Sequence, residues 1–224
     1  MKLILISILL LFTTISTYSQ RIIRSNSQQK LSLDHLLQSW PEELLDSATV
    51  KNNVLFMNQE EKDVVFLCNL ARMNGPLFAT TILEPYIANE NITRDRYVKS
   101  LINTLEQQKP LLPLHVDEQL YQLAYDHAET SGENGTTGHD GFDDRYKIAR
   151  RNFPMFAENC YYGPINALDI VLVLLIDKGE ADIGHRKNIF NNYYGSGFVG
   201  VSIQPHHSVY EYNCVMEFGG KRQQ

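Results

Sequence analysis

FVGVSIQPHHSVYEYNCVMEF, residues 198–218, is where the chain changes its hydrophobic period from that of a helix to that of a strand. Tyr210, Tyr212, Cys214, Met216 and Phe218 alternate with Val209, Glu211, Asn213, Val215 and Glu217. A two-residue period puts successive side chains on opposite faces of a strand. Phe198 to Ile203 supplies a partner run, and Gln204-Pro205-His206-His207-Ser208 the connection, so the stretch predicts an antiparallel hairpin. Upstream, the signals are helical. Asn166 to Asp177 is the most apolar helix, with Leu168, Val171, Leu172 and Leu175 inward. Val173, Leu174 and Ile176 leave it little polar face, which predicts cover on most sides. Asn58 is placed to cap a helix with Glu60 and Glu61 in its first turn, running to about Met73 before Asn74, Gly75 and Pro76. Val98, Leu101, Ile102 and Leu105 mark another, broken off by Pro110 and Pro113, and Asp117 to Thr130 a third, with Leu120, Leu123, Ala124 and His127 on one stripe. Helices first and paired strands last, with no βαβ alternation and no internal repeat, predict an α+β domain in which helices cover a small sheet.

Composition bounds the function. The 224 residues carry 43% hydrophobic and 21% charged side chains, inside the ordinary globular range. Twenty basic against 26 acidic groups leave a formal charge of -6, which gives no basis for attracting a polyanion, so nucleic acid is not expected as a partner. Lys2 precedes an apolar run, Leu3 to Phe12, that decays into small residues through Thr17 and Ser19. That is the layout of a secretory signal peptide, and the run is far short of the roughly 20 residues a bilayer span needs. The expected organisation is a signal peptide over 1–19, an N-terminal leader over 20–54 with one weak helical stretch from Leu33 to Trp40, a domain over 55–219 and a tail over 220–224. No transmembrane segment is expected after cleavage, and the mature chain is expected outside the cell, or in the periplasm of a Gram-negative bacterium.

The three cysteines allow at most one intrachain disulfide. Cys68 shares helical spacing with Val64, Leu67 and Ala71 and reads as a small buried apolar group. Export makes a bridge between Cys160 and Cys214 permissible, though spacing cannot show the pairing. His127 lies on the core stripe of its helix and reads as a hydrogen-bonded packing residue. His206 and His207 read as a solvated turn, because neighbours in a turn rarely converge on a metal.

Three polar points remain: Gly138-His139 in a glycine-crowded loop with Asp140, Asp143 and Asp144; Ala157-Glu158-Asn159 within AENCYYG; and Gly184-His185-Arg186-Lys187-Asn188-Ile189 within LLIDKGEADIGHRKNIF, followed by GFVGVSI. Their order resembles the CAP superfamily, which groups cysteine-rich secretory proteins, insect venom antigen 5 and plant pathogenesis-related proteins (the SCP domain), and above all its microbial branch. The resemblance covers roughly residues 55–219. It implies a three-layer α-β-α sandwich with a small antiparallel sheet, and a cleft where two histidines, able to hold a divalent metal, meet two acids. Matched residue by residue, His139 and His185 are the histidines and Glu158 the first acid; Asp177, at the end of the apolar helix, or its neighbour Glu180 is the second. The tryptophan usual near that helix end is missing, Trp40 being the only one.

The chemistry of these residues admits three readings. Two neutral imidazoles with one or two carboxylates suit Zn²⁺ with room for water. Without metal, each histidine can be oriented by a carboxylate for acid/base work. Otherwise His139, Glu158 and His185 form a hydrogen-bond network that locks loops onto the sheet. Asn159 is expected to support the turn after Glu158, Gly184 to give His185 an unusual backbone, Arg186 and Lys187 to lie in solvent, and Tyr161, Tyr162, Tyr193 and Tyr194 to flank the cleft. The function expected is an extracellular protein that binds a peptide, glycan or lipid in this cleft, with a divalent metal, zinc first. The alternative is a secreted metal-dependent hydrolase of peptidase or esterase type, with Glu158, Asp177 or Glu180 as the catalytic group. A thiol hydrolase built on Cys160 is a third possibility that export disfavours.

Overall fold

The computed structural model describes residues 31–193 and 197–221; the signal segment 1–19, the first part of the leader and Tyr194 lie outside them. In chain order the elements are α1 (Leu33–Leu37), α2 (Glu42–Ala48), α3 (Gln59–Met73), α4 (Gly75–Phe78), a π-helical turn (Ala79–Leu83), α5 (Glu84–Asn89), α6 (Arg96–Gln107), β1 (His115–Val116), α7 (Glu118–Asn134), α8 (Phe142–Ala149), β2 (Met155–Gly163), α9 (Ala167–Ile176), α10 (Gly184–Ile189), β3 (Gly197–Pro205) and β4 (Tyr212–Gly220). No helix among the described residues is long and apolar enough to cross a membrane.

Side chains at the helix starts explain where the helices begin. Asn58 accepts from the Glu61 amide while Glu61 accepts from the Asn58 amide, a reciprocal cap that satisfies two donors a helix leaves orphaned. Asp95, Asp117 and Asn166 cap α6, α7 and α9 with one accepting oxygen each, without the reciprocal bond. Asn74-Gly75-Pro76 does not stop the chain as expected. Asn74 accepts from the Leu77 amide and Pro76 falls in the first turn, where its missing N–H costs nothing, so helix resumes at once.

The sheet has the order β1-β3-β4-β2. The hairpin of β3 and β4 is antiparallel, pairing Val201 with Met216 and Ile203 with Cys214. β2 lies antiparallel on the far side of β4, whereas the two-residue β1 runs parallel to β3, so the sheet is mixed rather than wholly antiparallel. β2 contains Ala157-Glu158-Asn159, read from sequence as a turn, and the aspartate-rich loop after His139 condenses into α8. Both were missed for one reason: neither element carries a clean apolar period.

Alternation along β4 sets the layers. Cys214, Met216 and Phe218 enter the main core with Val64, Leu67 and Cys68 of α3 and the apolar face of α9. Val215 faces the other way, onto Ala124 and Ala128 of α7 and Cys160 of β2. Gly200 is what lets α7 lie so close to the sheet, since a Cβ there would meet the backbone of Leu120 and Tyr121 at 2.1 and 2.0 Å. In the leader, Leu36, Trp40 and Ala48 are buried in the main core, and the Trp40 indole donates to Thr81 Oγ1 at 2.9 Å.

The same alternation decides the cysteines. Cys160 is paired in register with Val215, and Cys214 with Tyr161, so their side chains leave opposite faces of the sheet. The disulfide that the sequence permitted does not form; all three cysteines are free thiols and buried.

Candidate functional site

The register of β2 on β4 sets Glu158 opposite Glu217 on the face toward α7 and α8. Arg145, from α8, reaches both: its Nε donates to Glu158 Oε2 at 2.8 Å and to Glu217 Oε1 at 3.0 Å. His139 Nδ1 lies 2.7 Å from Glu158 Oε1. An ionised carboxylate only accepts, so Nδ1 carries the proton and Nε2 is left as the imidazole's free nitrogen. Burial alone would push Glu158 up, yet the hydrogen bonds from His139 and Glu217 and the Arg145 charge hold it well below the usual carboxylate range. Glu217 moves oppositely: burial, then the Glu158 charge, push it well above its ordinary value. The opposite shifts make Glu158 the ionised member of the pair and Glu217 the one that keeps its proton. The hydrogen bond to Glu158, and then its charge, raise His139 against the opposing effect of partial burial.

Neither Arg145 nor Glu217 was picked out from the sequence. Glu217 left a legible sign, a carboxylate at a strand position whose same-face neighbours, Asn213 and Val215, are buried. Arg145 left none, because α8 is too short and polar to show a face.

The second acid–imidazole pair forms where α9 ends. Asp177 takes the left-handed conformation (φ 57°) at the helix C-terminus, which turns its buried carboxylate back toward α10. Its Oδ1 accepts from His185 Nδ1 at 2.7 Å and its Oδ2 from the Arg186 amide at 3.2 Å. Gly184 plays no special part in this. The strained backbone belongs to Ile183 (φ 50°), while Gly184 sits in helix. Arg186 is not in solvent but 1% exposed, its guanidinium donating to the carbonyls of Leu175, Ile176 and Tyr97 and to Ser100 Oγ, whereas Lys187 is exposed as expected. Glu180 is exposed on the connecting loop, and its charge is among those that raise His139. Asp177 thus pairs with His185, and Glu158 with His139.

No side-chain hydrogen bond among the described residues joins the two pairs; amides lace their backbones together. Asn159 is not a turn support. Its Nδ2 donates to the His185 carbonyl at 3.1 Å and its Oδ1 accepts from Asn188, whose Nδ2 also lies 3.2 Å from the Glu158 carbonyl. β2 is an edge strand, so Glu158 projects to one side of it while Asn159 holds α10 on the other. His139 keeps half of its side-chain surface in solvent and His185 about a quarter, 50% and 23%.

Beside these pairs runs a groove of about 290 Å³ lined by Phe142, Tyr146, Met155, Phe156, Asn191 and Tyr193, between α8, the start of β2 and the segment after α10. Of the tyrosines expected at the cleft, Tyr193 lines this groove, Tyr161 is buried with its hydroxyl on the Pro164 carbonyl, and Tyr162 accepts from the Gly138 amide. His206 is buried rather than solvated, bridging Thr136 and Ser208, while His207 is exposed. His127 is the packing residue expected, its Nε2 3.0 Å from the Gly138 carbonyl. It also forms, with Glu158 and Cys160, a buried group of three side chains whose donor atoms lie close enough together to hold a metal ion.

A three-layer α-β-α sandwich with one imidazole–carboxylate pair on its edge strand and a second where α9 meets α10 defines the class of protein. Residues 91–218, more than half of the chain, match the model of the cysteine-rich secretory protein family, CAP, and the chain belongs to that family. Among solved structures it is similar to an outer surface protein of Borrelia burgdorferi, at 20% identity and a TM-score of 0.41, over 58% of this chain and 97% of that one. It is also similar to an extracellular SCP-domain protein of Bacillus anthracis, at 23% identity and a TM-score of 0.38, over 50% of this chain and 35% of that one. A cysteine-rich secretory protein of Staphylococcus aureus is 16% identical with a TM-score of 0.39, over 56% and 38%. The chain therefore spans little more than a third of the length of the last two. No curated protein matches it.

Proposed function

We propose that this CAP protein is exported and binds an extracellular ligand, a peptide, glycan or lipid, in the cleft bordered by His139, Glu158, Asp177 and His185, with a divalent cation held by the two imidazoles. The observation that carries this reading is the pairing of each imidazole, through Nδ1, with a buried carboxylate. Such pairing fixes the ring and raises the basicity of Nε2, the arrangement that zinc-binding histidines use. The donor set therefore fits Zn²⁺, and the two carboxylates orient the rings instead of taking places on the ion. The adjoining aromatic groove suits flat or apolar ligand faces, and its volume lies near the small end of ligand pockets, roughly 300 Å³. Export rests on the signal-like N-terminus and agrees with the extracellular and outer-surface descriptions of the similar proteins.

A nucleophilic thiol is a poor fit here. Cys160 is 8% exposed, and burial, with the charges of Glu158 and Glu217, pushes its thiol far above its ordinary range. The expected activity is binding without turnover. Calorimetric titration with Zn²⁺ of the wild type, His139→Ala and His185→Ala tests the metal. Loss of one binding event in both variants is the expected result, and unchanged titrations in both would remove the cation from the cleft. A glycan and peptide array probed with wild type and Phe156→Ala tests the groove, with ligand signal expected only for the wild type.

A further inference from the structure

On the face of the sheet toward α7, below His139, four donors converge, of which only Glu158 also serves the cleft, through its bond to His139. His127 Nε2 lies 3.8 Å from Cys160 Sγ and 3.9 Å from Glu158 Oε1, and Sγ lies 3.7 Å from Oε1. The Gly138 carbonyl oxygen is 3.0 Å from Nε2 and 3.5 Å from Sγ. Zinc bonds of about 2.0 Å to nitrogen or oxygen and about 2.3 Å to sulfur, at tetrahedral angles, separate the donors by roughly 3.3 to 3.5 Å. The five donor separations above lie within about 0.6 Å of that span. We propose that His127, Cys160, Glu158 and the Gly138 carbonyl form a buried tetrahedral site for a zinc ion, distinct from any cation held between His139 and His185.

Charge and softness favour this occupant. A thiolate and a carboxylate bring two negative charges to Zn²⁺, with a neutral imidazole as third ligand, while Arg145 on Glu158 Oε2 leaves one positive charge beside the centre for Glu217 to offset by ionising. Binding forms a Zn–S bond and releases the Cys160 thiol proton to solvent; the imidazole moves its proton from Nε2 to Nδ1. The thiol and the His127 imidazole are loosely held without the ion, whereas Glu158 Oε1 already accepts from His139 Nδ1 at 2.7 Å. The contacts of Sγ with His127, the Gly138 carbonyl, His139 and Glu158 are all 3.5 Å or longer, and the mostly buried His127 ring makes its short hydrogen bond through Nε2. His139, half exposed directly above, marks the way in, its Nδ1 3.7 Å from Sγ.

Cobalt substitution separates this site from the cleft, because only this one contains sulfur. Metal-depleted full-length protein titrated with Co²⁺ is expected to show tetrahedral d–d absorption together with a sulfur-to-cobalt charge-transfer band. That band should vanish in Cys160→Ser, with affinity falling more than about a hundredfold, and persist in His185→Ala. Failure of Co²⁺ to bind the wild type, d–d absorption without the charge-transfer band, or a band that survives Cys160→Ser would overturn the proposal. Should Cys160→Ser not fold, X-ray absorption of the zinc-loaded wild type decides: one sulfur in the first shell is expected, and a shell of nitrogen and oxygen alone would refute it. Array binding by the wild type without a cobalt charge-transfer band, or that band without array binding by the wild type, tells failure of one reading from failure of the other.

Discussion

Glu158 and Glu217 face each other at one register position yet carry opposite protonation, and their substitution should differ accordingly. Glu217→Gln imitates the protonated acid, keeps a donor toward Glu158 and an acceptor toward Arg145, and should change stability by less than about 1 kcal/mol in denaturant titration. Glu158→Gln strips the counter-charge from a buried Arg145 and should cost about 3 to 5 kcal/mol. The pH dependence follows from the shifts. Glu217 is raised, so between its unfolded value near 4.5 and its folded value the unfolded chain has released a proton that the folded chain keeps. Its contribution is complete below 4.5 and is lost as pH rises through the folded value. Unfolding curves from pH 5 upward, in the presence of chelator, should therefore decline less steeply in Glu217→Gln than in wild type. Glu158 is lowered, and its contribution is lost as pH falls below 4.5 through the folded value. At this scale the resemblance offered His139, Glu158, His185 and either Asp177 or Glu180, while the sequence misjudged Arg186 and Gly184. A guanidinium buries itself only when carbonyls converge on it, and whether they do is a property of the folded chain.

Elements show why some boundaries were legible and others were not. α3, α6, α7 and α9 each pair an apolar stripe with a capping Asn or Asp, two local signals that agree, and all four were read within a few residues. Removing the cap in Asn166→Ala should cost about 1 kcal/mol in thermal or chemical unfolding while leaving the fold intact. α10 answers to different forces. It is six residues long and has no side-chain cap, so it is held by Arg186 from within and Asn159 from outside. Arg186→Ala leaves the carbonyls of Leu175, Ile176 and Tyr97 without this partner and should cost more than about 3 kcal/mol. Increased hydrogen exchange concentrated in α10 and the end of α9, with β2 and β4 protected, is the expected pattern. β2 was hidden because an edge strand with polar side chains on both faces has no two-residue apolar period to display.

Over the whole molecule, the leader and the CAP-matched region share one core. Leu36, Trp40 and Ala48 lie in the same cluster as Val64, Val171 and Met216. Trp40→Ala should therefore cost about 3 to 5 kcal/mol, as emptying a core site of that size does. Because Trp40 is the only tryptophan, its emission should lose native intensity at the same denaturant concentration at which far-ultraviolet dichroism loses helix. Two separate transitions would show that residues 31–54 unfold independently.

The sequence by itself determined the class of fold and the helical spans, because periodicity and capping are local and survive without a partner, and its motif order offered His139, Glu158, His185 and either Asp177 or Glu180 as candidates. Tertiary structure decided what distant residues do to one another. It divided a proton between Glu158 and Glu217, put Cys160 and Cys214 on opposite faces of the sheet, buried Arg186 among carbonyls and drew His127 into contact with Cys160 and Glu158. The physical reason is that register, burial and charge act between residues up to about 140 apart in the chain, as in the bond from the Ile203 amide to Glu61, and such couplings exist only once the chain has closed on itself.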